Sequence, residues 1–204
     1  MSAASAKAVA VIGAGFSGLI CAIHLLLKSP RGGPRICLIE QREAFGVGAA
    51  YSTDEPGHLL NTRAANMSAF TDRPDHFLNW LQERGRLFHG NGSSFVSRRI
   101  YRDYLQGLLR DIACSADAAG RLYLVPDEAV SVEPAGARYE VRLKVGKVLS
   151  VDAAIFQRAI RLRTRPILPP GHLSRALVTS TTPGTPPPSA PSSRMIRSSS
   201  SAPA

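Results

Sequence analysis

The residues with the clearest chemical meaning lie near the N-terminus, in a glycine-rich turn between two apolar runs. The turn reads Gly13-Ala14-Gly15-Phe16-Ser17-Gly18 and matches the pattern G-x-G-x-x-G. In that pattern the first glycine permits a tight turn, the second lets the backbone approach a pyrophosphate, and the third lets the next helix pack closely on the preceding strand. The helix N-terminus then offers N–H groups and a positive dipole end to the phosphate. The turn therefore predicts binding of a dinucleotide pyrophosphate.

An acidic residue follows at the spacing that such a site requires. Glu40 ends the second apolar run, 22 residues after Gly18. A carboxylate in this position accepts hydrogen bonds from the hydroxyl pair of a ribose. Gln41, the next residue, is included in the predicted cofactor site. The alternative is a glycine-rich turn beside a solvent-facing Glu40, but the strand, turn, helix and acid together favour a nucleotide site.

Apolar runs and helical periodicity predict the elements that hold this turn. Ala8–Ile12 and residues 35–40 are continuous apolar runs typical of buried parallel strands, and residues 16–28 between them have helical spacing. A long loop, predicted to cross a ligand, follows at residues 41–73. Two helices are predicted at 74–86 and 99–118. The four strands of a β-meander are predicted at 121–125, 128–133, 138–144 and 147–155. The last strand is predicted to re-enter the central sheet. The fold class is α/β: a Rossmann-type domain with a parallel sheet, a helical insertion and a β-meander.

The fingerprint alone does not separate FAD from NAD, because both cofactors use it. An ordinary NAD-dependent dehydrogenase continues with regular alternation of helix and strand after the second strand. Here a long loop, two helices and a meander intervene before Ile155. Since this insertion is typical of flavoproteins that bind two dinucleotides, the sequence favours FAD.

A series of motifs between residues 42 and 105 resembles one group of proteins. In order, the motifs are Gly46-Val-Gly-Ala-Ala-Tyr51, His58-Leu-Leu-Asn61, Met67-Ser68, Asp75-His-Phe-Leu78 with Trp80-Leu81, Phe95-Val-Ser-Arg98-Arg99, and Asp103-Tyr-Leu105. The series resembles the bacterial FAD/NAD(P)-binding proteins grouped with FAD-dependent urate hydroxylases, distant relatives of flavin monooxygenases. The resemblance covers approximately residues 8–155.

The resemblance implies roles for particular residues. The turn at 13–18 and Glu40 would hold the ADP half of FAD, while the stretches 46–51 and 60–61, with Asn61, would approach the flavin half. Arg98, followed by Arg99, is a candidate phosphate contact, because a guanidinium offers a fork of donors. Val130 would contact the adenine through its backbone. No catalytic residue is assigned, since His58 and His76 have no evident carboxylate or nucleophile partner and are expected to be structural.

Charge and cysteine usage restrict the partners. The net charge is +10, but no acidic residue follows Asp152, and residues 1–155 carry 18 basic and 15 acidic residues. This part of the chain is therefore nearly neutral, and we predict a small-molecule substrate rather than nucleic acid or a membrane. Cysteines at 21, 37 and 114 stand singly, which predicts no metal site and fits a reducing, cytoplasmic compartment.

The composition changes after residue 155. Residues 156–204 contain seven arginines, five prolines between 183 and 191, and a run of four serines at 198–201. Such a low-complexity basic segment is predicted to be disordered. The predicted organisation is thus an incomplete FAD/NAD(P)-binding domain at 1–155 followed by a tail at 156–204.

A shift of reading frame offers an explanation for the tail. In flavoproteins of this kind the strand at Ile155 continues into an A-x-G-type turn, whereas this chain has Phe156-Gln-Arg-Ala-Ile-Arg161. Read one base earlier, codons for residues 156–161, 179–186 and 198–204 can encode Pro-Ala-Gly-Asn-Pro, Tyr-Ile-His-Asp-Pro-Trp-Asp-Pro and Val-Leu-Leu-Val-Gly-Thr-Ser. The register is the same in all three places. We predict an out-of-frame translation after about residue 155; a genuine disordered basic tail is the alternative.

These observations lead to three functional hypotheses. The leading one is the FAD-binding portion of a flavin-dependent, NAD(P)H-using oxidoreductase of monooxygenase type, with NAD(P)H as the reductant in an intact relative. The second is a non-catalytic, truncated FAD- or dinucleotide-binding module. The third is an NAD-dependent Rossmann dehydrogenase.

Overall fold

The fold alternates early between strand and helix and ends in a series of strands. A computed structural model describes residues 7–29, 32–42, 44–84, 90–116 and 118–157. The elements in chain order are β1 (Ala8–Ile12), α1 (Phe16–Leu27), β2 (Arg35–Ile39), α2 (His76–Glu83), α3 (Arg98–Ala113), β3 (Leu122–Val125), β4 (Ala129–Ala135), β5 (Arg138–Leu143), β6 (Val148–Val151) and β7 (Ala153–Phe156). The predicted tail lies outside the described residues apart from 156 and 157. Among the described helices none is both long and apolar enough to cross a membrane.

Strand β1 lies inside a four-stranded parallel sheet with the order β3-β2-β1-β7. Ile12 is paired with Ile39 of β2 on one side and with Phe156 of β7 on the other. Because the chain passes from β1 to β2 in one direction and returns to β7 on the opposite side, the carboxyl ends of β1 and β7 form a topological switch point. Open α/β sheets bind ligands in the crevice at such a point.

The parallel sheet is the middle of three layers. On β1, Val11 packs with α1, α3 and the inserted loop, while Ala10 and Ile12 pack with the antiparallel sheet β4-β5-β6. This follows from the alternation of side chains across a strand, which sends successive apolar residues of β1 into different cores. A continuous apolar run is therefore required, since both faces of β1 are covered.

Asp152 connects the two sheets. Its backbone N–H donates to the carbonyl of Ala8, and its carboxylate accepts the N–H of Ala8, both at 2.7 Å. The Arg138 guanidinium lies 3.6 Å from the same carboxylate and donates to the Ser150 carbonyl at 2.8 Å. These contacts explain why the apolar stretch predicted as one strand at 147–155 divides into β6 in the meander and β7 in the parallel sheet.

The predicted α/β class, parallel sheet, helical insertion and meander are confirmed, with one strand misplaced. The prediction that residues 121–125 belong to the meander is wrong: β3 pairs in parallel with β2, from Leu122 opposite Ile36 to Val125 opposite Ile39. A four-residue strand carries too little alternation to identify its partner. Both inserted helices are also shorter than predicted, and α3 begins where the Ser97 hydroxyl accepts the Arg99 N–H.

Candidate dinucleotide-binding site

The glycine turn lies at the switch point and has little room for side chains. Gly13 has φ +96°, in the region that favours glycine, and its N–H donates to the carbonyl of Ile39 at 2.8 Å. A Cβ added to Gly18 would lie 1.8 Å from the carbonyl oxygen of Gly13. Helix α1 therefore approaches the end of β1 at a distance that only glycine permits, as the fingerprint predicts.

Helix α1 begins directly above this turn. Gly15 is its N-terminal cap, and no side chain among the described residues caps this end. The first turn of α1 contains no acidic residue. Since the first four N–H groups of a helix have no partner within the helix, this end can donate to an anion.

A second glycine loop packs against the first. The N–H of Gly46 donates to the carbonyl of Ala14 at 2.7 Å, and a Cβ on Gly48 would lie 2.9 Å from the Gly15 Cα. Gly46 and Gly48 both have positive φ, +82° and +54°. The two loops thus pack backbone against backbone at Gly46 and Gly48, and this arrangement explains the glycines of the motif at 46–51.

Glu40 is bonded to the turn. Glu40 is buried, with only 7% of the residue exposed. One carboxylate oxygen accepts the Ala14 N–H at 2.8 Å, and the other accepts the Arg42 N–H at 3.2 Å. The alternative of a solvent-facing Glu40 is therefore wrong. A carboxylate has about four lone-pair sites, so positions for ribose hydroxyls remain. Gln41, next to it, is exposed.

Arg98 contacts the inserted loop. Its Nε donates to the carbonyl of Leu59 at 3.1 Å, its Nη1 to that of Ala50 at 3.3 Å, and its backbone N–H to that of His58 at 2.8 Å. These bonds hold the segment between 50 and 59 against the start of α3. Arg98 was predicted to contact a phosphate because its guanidinium offers a fork of donors. In this structure two of those donors bond to loop carbonyls.

Asn61 and Val130 lie at the periphery of this region. Asn61 is exposed, and its side-chain oxygen accepts the Thr62 hydroxyl at 3.5 Å. Val130 is 41% exposed and lies where the register between β4 and β5 shifts, so it has no paired residue on β5. The extra residue of a β-bulge leaves the ladder unpaired there. This geometry suits a contact through the backbone, the role predicted for Val130.

An aromatic cluster beside the turn was missed in the sequence. Phe16, at the start of α1, lies 6.5 Å from Tyr51 and 6.1 Å from Tyr101 between ring centroids. Burial raises the pKa of Tyr51, and the neighbouring Arg98 lowers it in part. The Tyr101 hydroxyl donates to the Met67 carbonyl at 3.0 Å. Tyr51 and Tyr101 both lie in or beside the motifs quoted above, but only the tertiary structure brings them to Phe16.

The two histidines of the motifs bond to hydroxyl groups. His58 Nδ1 lies 2.7 Å from the Thr53 hydroxyl, and His76 Nδ1 lies 2.9 Å from that of Tyr104. Neither contact is to a carboxylate. Both fit the structural roles expected from the sequence.

The residues of this region fit a dinucleotide. The turn and the loop at 46–48 form a cradle that added Cβ atoms would fill, α1 offers uncapped N–H groups, and the Glu40 carboxylate lies against the turn, where it accepts the Ala14 N–H. A family model described as FAD-NAD(P)-binding matches residues 10–156. The chain belongs to this family. The match confirms the predicted class of cofactor, FAD with NAD(P).

Solved structures with a similar fold include two monooxygenases. Cyclohexanone monooxygenase from Rhodococcus sp. Phi1, bound to NADP+, has a TM-score of 0.52 and 20% identity over 74% of this chain and 26% of that one. A double mutant of flavin monooxygenase from Stenotrophomonas maltophilia has a TM-score of 0.51 and 20% identity over 75% of this chain and 38% of that one. This FAD-NAD(P)-binding chain therefore shares their fold and spans less than two-fifths of their length. A search of curated proteins found no match.

Proposed function

We propose that this chain is the FAD-binding portion of a flavin-dependent, NAD(P)H-using oxidoreductase of monooxygenase type, grouped with the FAD-dependent urate hydroxylases. The observation that carries the proposal is the close packing of the uncapped start of α1 on the end of β1, where Gly18 approaches Gly13. Glu40 accepts the N–H of Ala14, which lies between these two glycines in the sequence. The family match and the fold shared with flavin monooxygenases support it.

In this proposal the ADP half of FAD lies along the glycine turn. The N–H groups at the start of α1 would donate to the pyrophosphate, and Glu40 would accept from the adenosine ribose, with Gln41 beside it. Val130 would meet the adenine through its backbone. Asn61 and the loop at 46–51, which Arg98 fixes to α3, would approach the flavin half.

Bound FAD would supply the redox chemistry, accepting hydride from NAD(P)H and activating oxygen. In this proposal the residues of this chain bind and orient the cofactor. The substrate is proposed to be a small molecule rather than nucleic acid or a membrane lipid, and the compartment to be the cytoplasm.

We further propose that the residues after about 155 are translated out of frame. The family match ends at residue 156, where the composition changes. The three peptides encoded in one common alternative register also support the proposal. Sequencing the gene from independent isolates tests it: a one-base deletion near codon 155 is expected, and an intact frame across codons 150–160 in all isolates would overturn it.

A non-catalytic dinucleotide-binding module is the second candidate. It needs only the glycine turn, the uncapped start of α1 and Glu40, and no catalytic residue is assigned among the described residues. The third candidate, an NAD-dependent dehydrogenase, is disfavoured because helices α2 and α3 and the meander separate β2 from β7. In the second candidate, the non-catalytic binding module, FAD binds without turnover.

The decisive experiment is to purify the full chain, add FAD, remove free cofactor and record the visible spectrum. A flavin absorption band that stays with the protein supports the proposal. A colourless protein that binds NAD tightly would overturn the choice of FAD. NADPH oxidation by the loaded protein distinguishes the oxidoreductase from the binding module.

A further inference from the structure

The aromatic cluster beside the glycine turn continues as a series of rings in mutual contact. Ring centroids are 5.0 Å apart between Tyr51 and Tyr101, 5.5 Å between Tyr101 and Tyr104, and 5.3 Å between Tyr104 and Trp80. Tyr101 and Tyr104 are 1% and 0% exposed, whereas Tyr51 and Trp80 are half-buried. This ring series therefore has a buried middle and two ends that approach the surface.

The residue types of the ring series suit one-electron chemistry. Tyrosine and tryptophan rings lose an electron more easily than phenylalanine, because their oxygen or nitrogen donates electron density to the ring. A buried tyrosine must release its hydroxyl proton as it loses the electron, since an unpaired cation left in an apolar core is costly. A tyrosine in this series can therefore be oxidised readily only where a base adjoins its hydroxyl.

Tyr104 has such a base and Tyr101 does not. The Tyr104 hydroxyl lies 2.9 Å from His76 Nδ1 and accepts the Ala69 N–H at 3.3 Å. The Tyr101 hydroxyl donates to the Met67 carbonyl at 3.0 Å. An amide carbonyl is a far weaker base than an imidazole nitrogen, so Tyr101 keeps its proton and serves as a bridge between the rings on either side.

The protonation states of the Tyr104–His76 pair at neutral pH favour this transfer. Burial raises the pKa of Tyr104, so its hydroxyl carries a proton that can be given away. Burial lowers the pKa of His76 from 6.5, and the nearby Arg73 lowers it further, so the imidazole is neutral and can receive a proton. The charged or titratable groups around this imidazole are Arg73 before α2, Glu83 on α2, Asp111 and Tyr104 on α3, and, in contact with the same Phe70 ring, His24 on α1.

We propose that Tyr104 is a redox-active tyrosine, which loses one electron along the ring series and passes its hydroxyl proton to His76 Nδ1. The O–H bond breaks and leaves a neutral phenoxyl radical beside an imidazolium. The electron passes through Tyr101 and Tyr51 to an oxidant of the hydroxyl- or peroxyl-radical class, which becomes the corresponding anion. A reductant of the enediol class, such as ascorbate, returns one electron through Trp80 and becomes its own radical, while the proton returns from His76 to Tyr104.

The position of Tyr51 links the ring series to the proposed cofactor site. Tyr51 belongs to the loop at 46–51, and its ring contacts Phe16 at the start of α1. Reduced flavin left in contact with oxygen gives rise to oxygen radicals, and the ring series would carry such an oxidising equivalent away from the cofactor. This source of the oxidant rests on the proposed function, whereas the chemistry of Tyr104 and His76 does not.

The test oxidises the full chain without added FAD. The oxidant is tris(bipyridine)ruthenium(III), generated by a light flash with persulfate as electron acceptor, and the radical is recorded by electron paramagnetic resonance and transient absorption. We expect a long-lived tyrosyl radical that Y104F abolishes. Y101F is the matched control, because it removes a hydroxyl from an equally buried ring of the series, and it should keep the radical. W80F should slow radical formation, since the external oxidant reaches the series at Trp80.

Substitution of the histidine tests the proton transfer. H76N keeps an acceptor for the Tyr104 hydroxyl but has no basic nitrogen, so the radical should form at least about tenfold more slowly, because a positioned base contributes more than this to a proton transfer. Deuterium oxide should slow the parent chain but not H76N. The rate in the parent chain should also fall as the pH drops below 6.5, where His76 begins to be protonated. H58N removes an exposed imidazole and should behave like the parent chain.

The outcomes separate this inference from the proposed function. Thermal unfolding of each variant confirms that it is folded. A long-lived radical that persists in folded Y104F, or that forms as fast in H76N as in the parent chain, would overturn the redox role of Tyr104, and FAD binding would still stand. A parent chain that forms the Tyr104 radical but binds no FAD would overturn the proposed function and leave the Tyr104–His76 pair as a redox site.

Discussion

The carboxylate of Glu40 accepts the backbone N–H of Ala14 at 2.8 Å, which ties the end of β2 to the turn after β1. Ala14 is fully buried, so its N–H has no access to water. The acid therefore supports the turn before any ribose arrives, and its structural and binding roles can be separated by substitution.

E40Q should keep the turn and lose nucleotide affinity. The amide oxygen of glutamine can still accept the Ala14 N–H, but the charge that strengthens the ribose hydrogen bonds is gone. We expect ADP to bind about tenfold more weakly, measured by calorimetry. An ADP analogue without the 2′ and 3′ hydroxyls is the control, and an equal loss of its affinity would contradict the ribose role of Glu40.

E40A should destabilise the fold itself. It leaves the buried Ala14 N–H without its partner, which costs about 1–3 kcal/mol in the free energy of unfolding. Urea denaturation of E40A and E40Q measures the difference. Equal stability of the two variants would mean that the Ala14 bond contributes nothing.

G18A should damage the turn more than an alanine elsewhere. Its Cβ would lie 1.8 Å from the Gly13 oxygen, so α1 or the end of β1 must move. We expect a loss of about 1–3 kcal/mol or more in the free energy of unfolding, together with loss of FAD binding. The control is G57A, whose Cβ would approach only a Glu55 carboxylate oxygen at 3.5 Å. If G18A binds FAD like G57A, the close packing at the turn is not required.

Local pattern was sufficient for the first part of the fold. The apolar run of β1, the glycine turn and the periodicity of α1 are encoded by neighbours in the sequence, and Glu40 follows from its spacing. The assignment of β3 failed because it depends on pairing between Ile36 and Leu122, 86 positions apart. Tyr123 and Leu124, which are neighbours in this strand, are both exposed, so its residues do not alternate between buried and exposed positions.

The loop residues show the same limit within the site. The motif at 46–51 drew attention to a glycine loop, but its bond from Gly46 to Ala14 is a tertiary contact. Arg98 looked like a phosphate ligand because its type favours phosphate, whereas its donors to Ala50 and Leu59 carbonyls depend on where the loop returns. Residue type alone does not distinguish these two uses of a guanidinium.

Stability should fall as the pH drops below 6.5, through His76. Burial lowers the pKa of His76 from its ordinary 6.5, and the nearby Arg73 lowers it further, while Glu83 and Asp111 oppose them. The Tyr104 hydroxyl accepts the Ala69 N–H at 3.3 Å and lies 2.9 Å from His76 Nδ1, and it can donate to that nitrogen only when the nitrogen carries no proton. The unfolded chain therefore binds the proton more readily below pH 6.5, and this contribution, fully present above 6.5, is lost as the pH falls towards the folded pKa.

H76N tests this pH dependence. Asparagine keeps an acceptor for the Tyr104 hydroxyl but does not titrate, so the fall in the free energy of unfolding between pH 6.5 and 5 should be smaller than in the parent chain. Urea denaturation at a series of pH values measures it. H58N removes an exposed imidazole and serves as the control. Parallel pH profiles for the parent chain and H76N would show that His76 is not the group responsible.

Gly107 is the position where adding a methyl group should stabilise the protein. It lies inside α3 and is buried, and among the described residues outside this helix a Cβ there would come within 4 Å of Trp80 Nε1 alone, at an ordinary contact distance of 3.6 Å. Alanine in a helix interior is favoured over glycine by about 0.8–1.0 kcal/mol. G107A should therefore raise the melting temperature by about 2–4 °C. G120A is the contrasting control, because Gly120 has open space but a φ of +69°, so alanine is strained there and should destabilise. A lower melting temperature for G107A would mean that α3 packs against α2 more tightly than the 3.6 Å separation indicates.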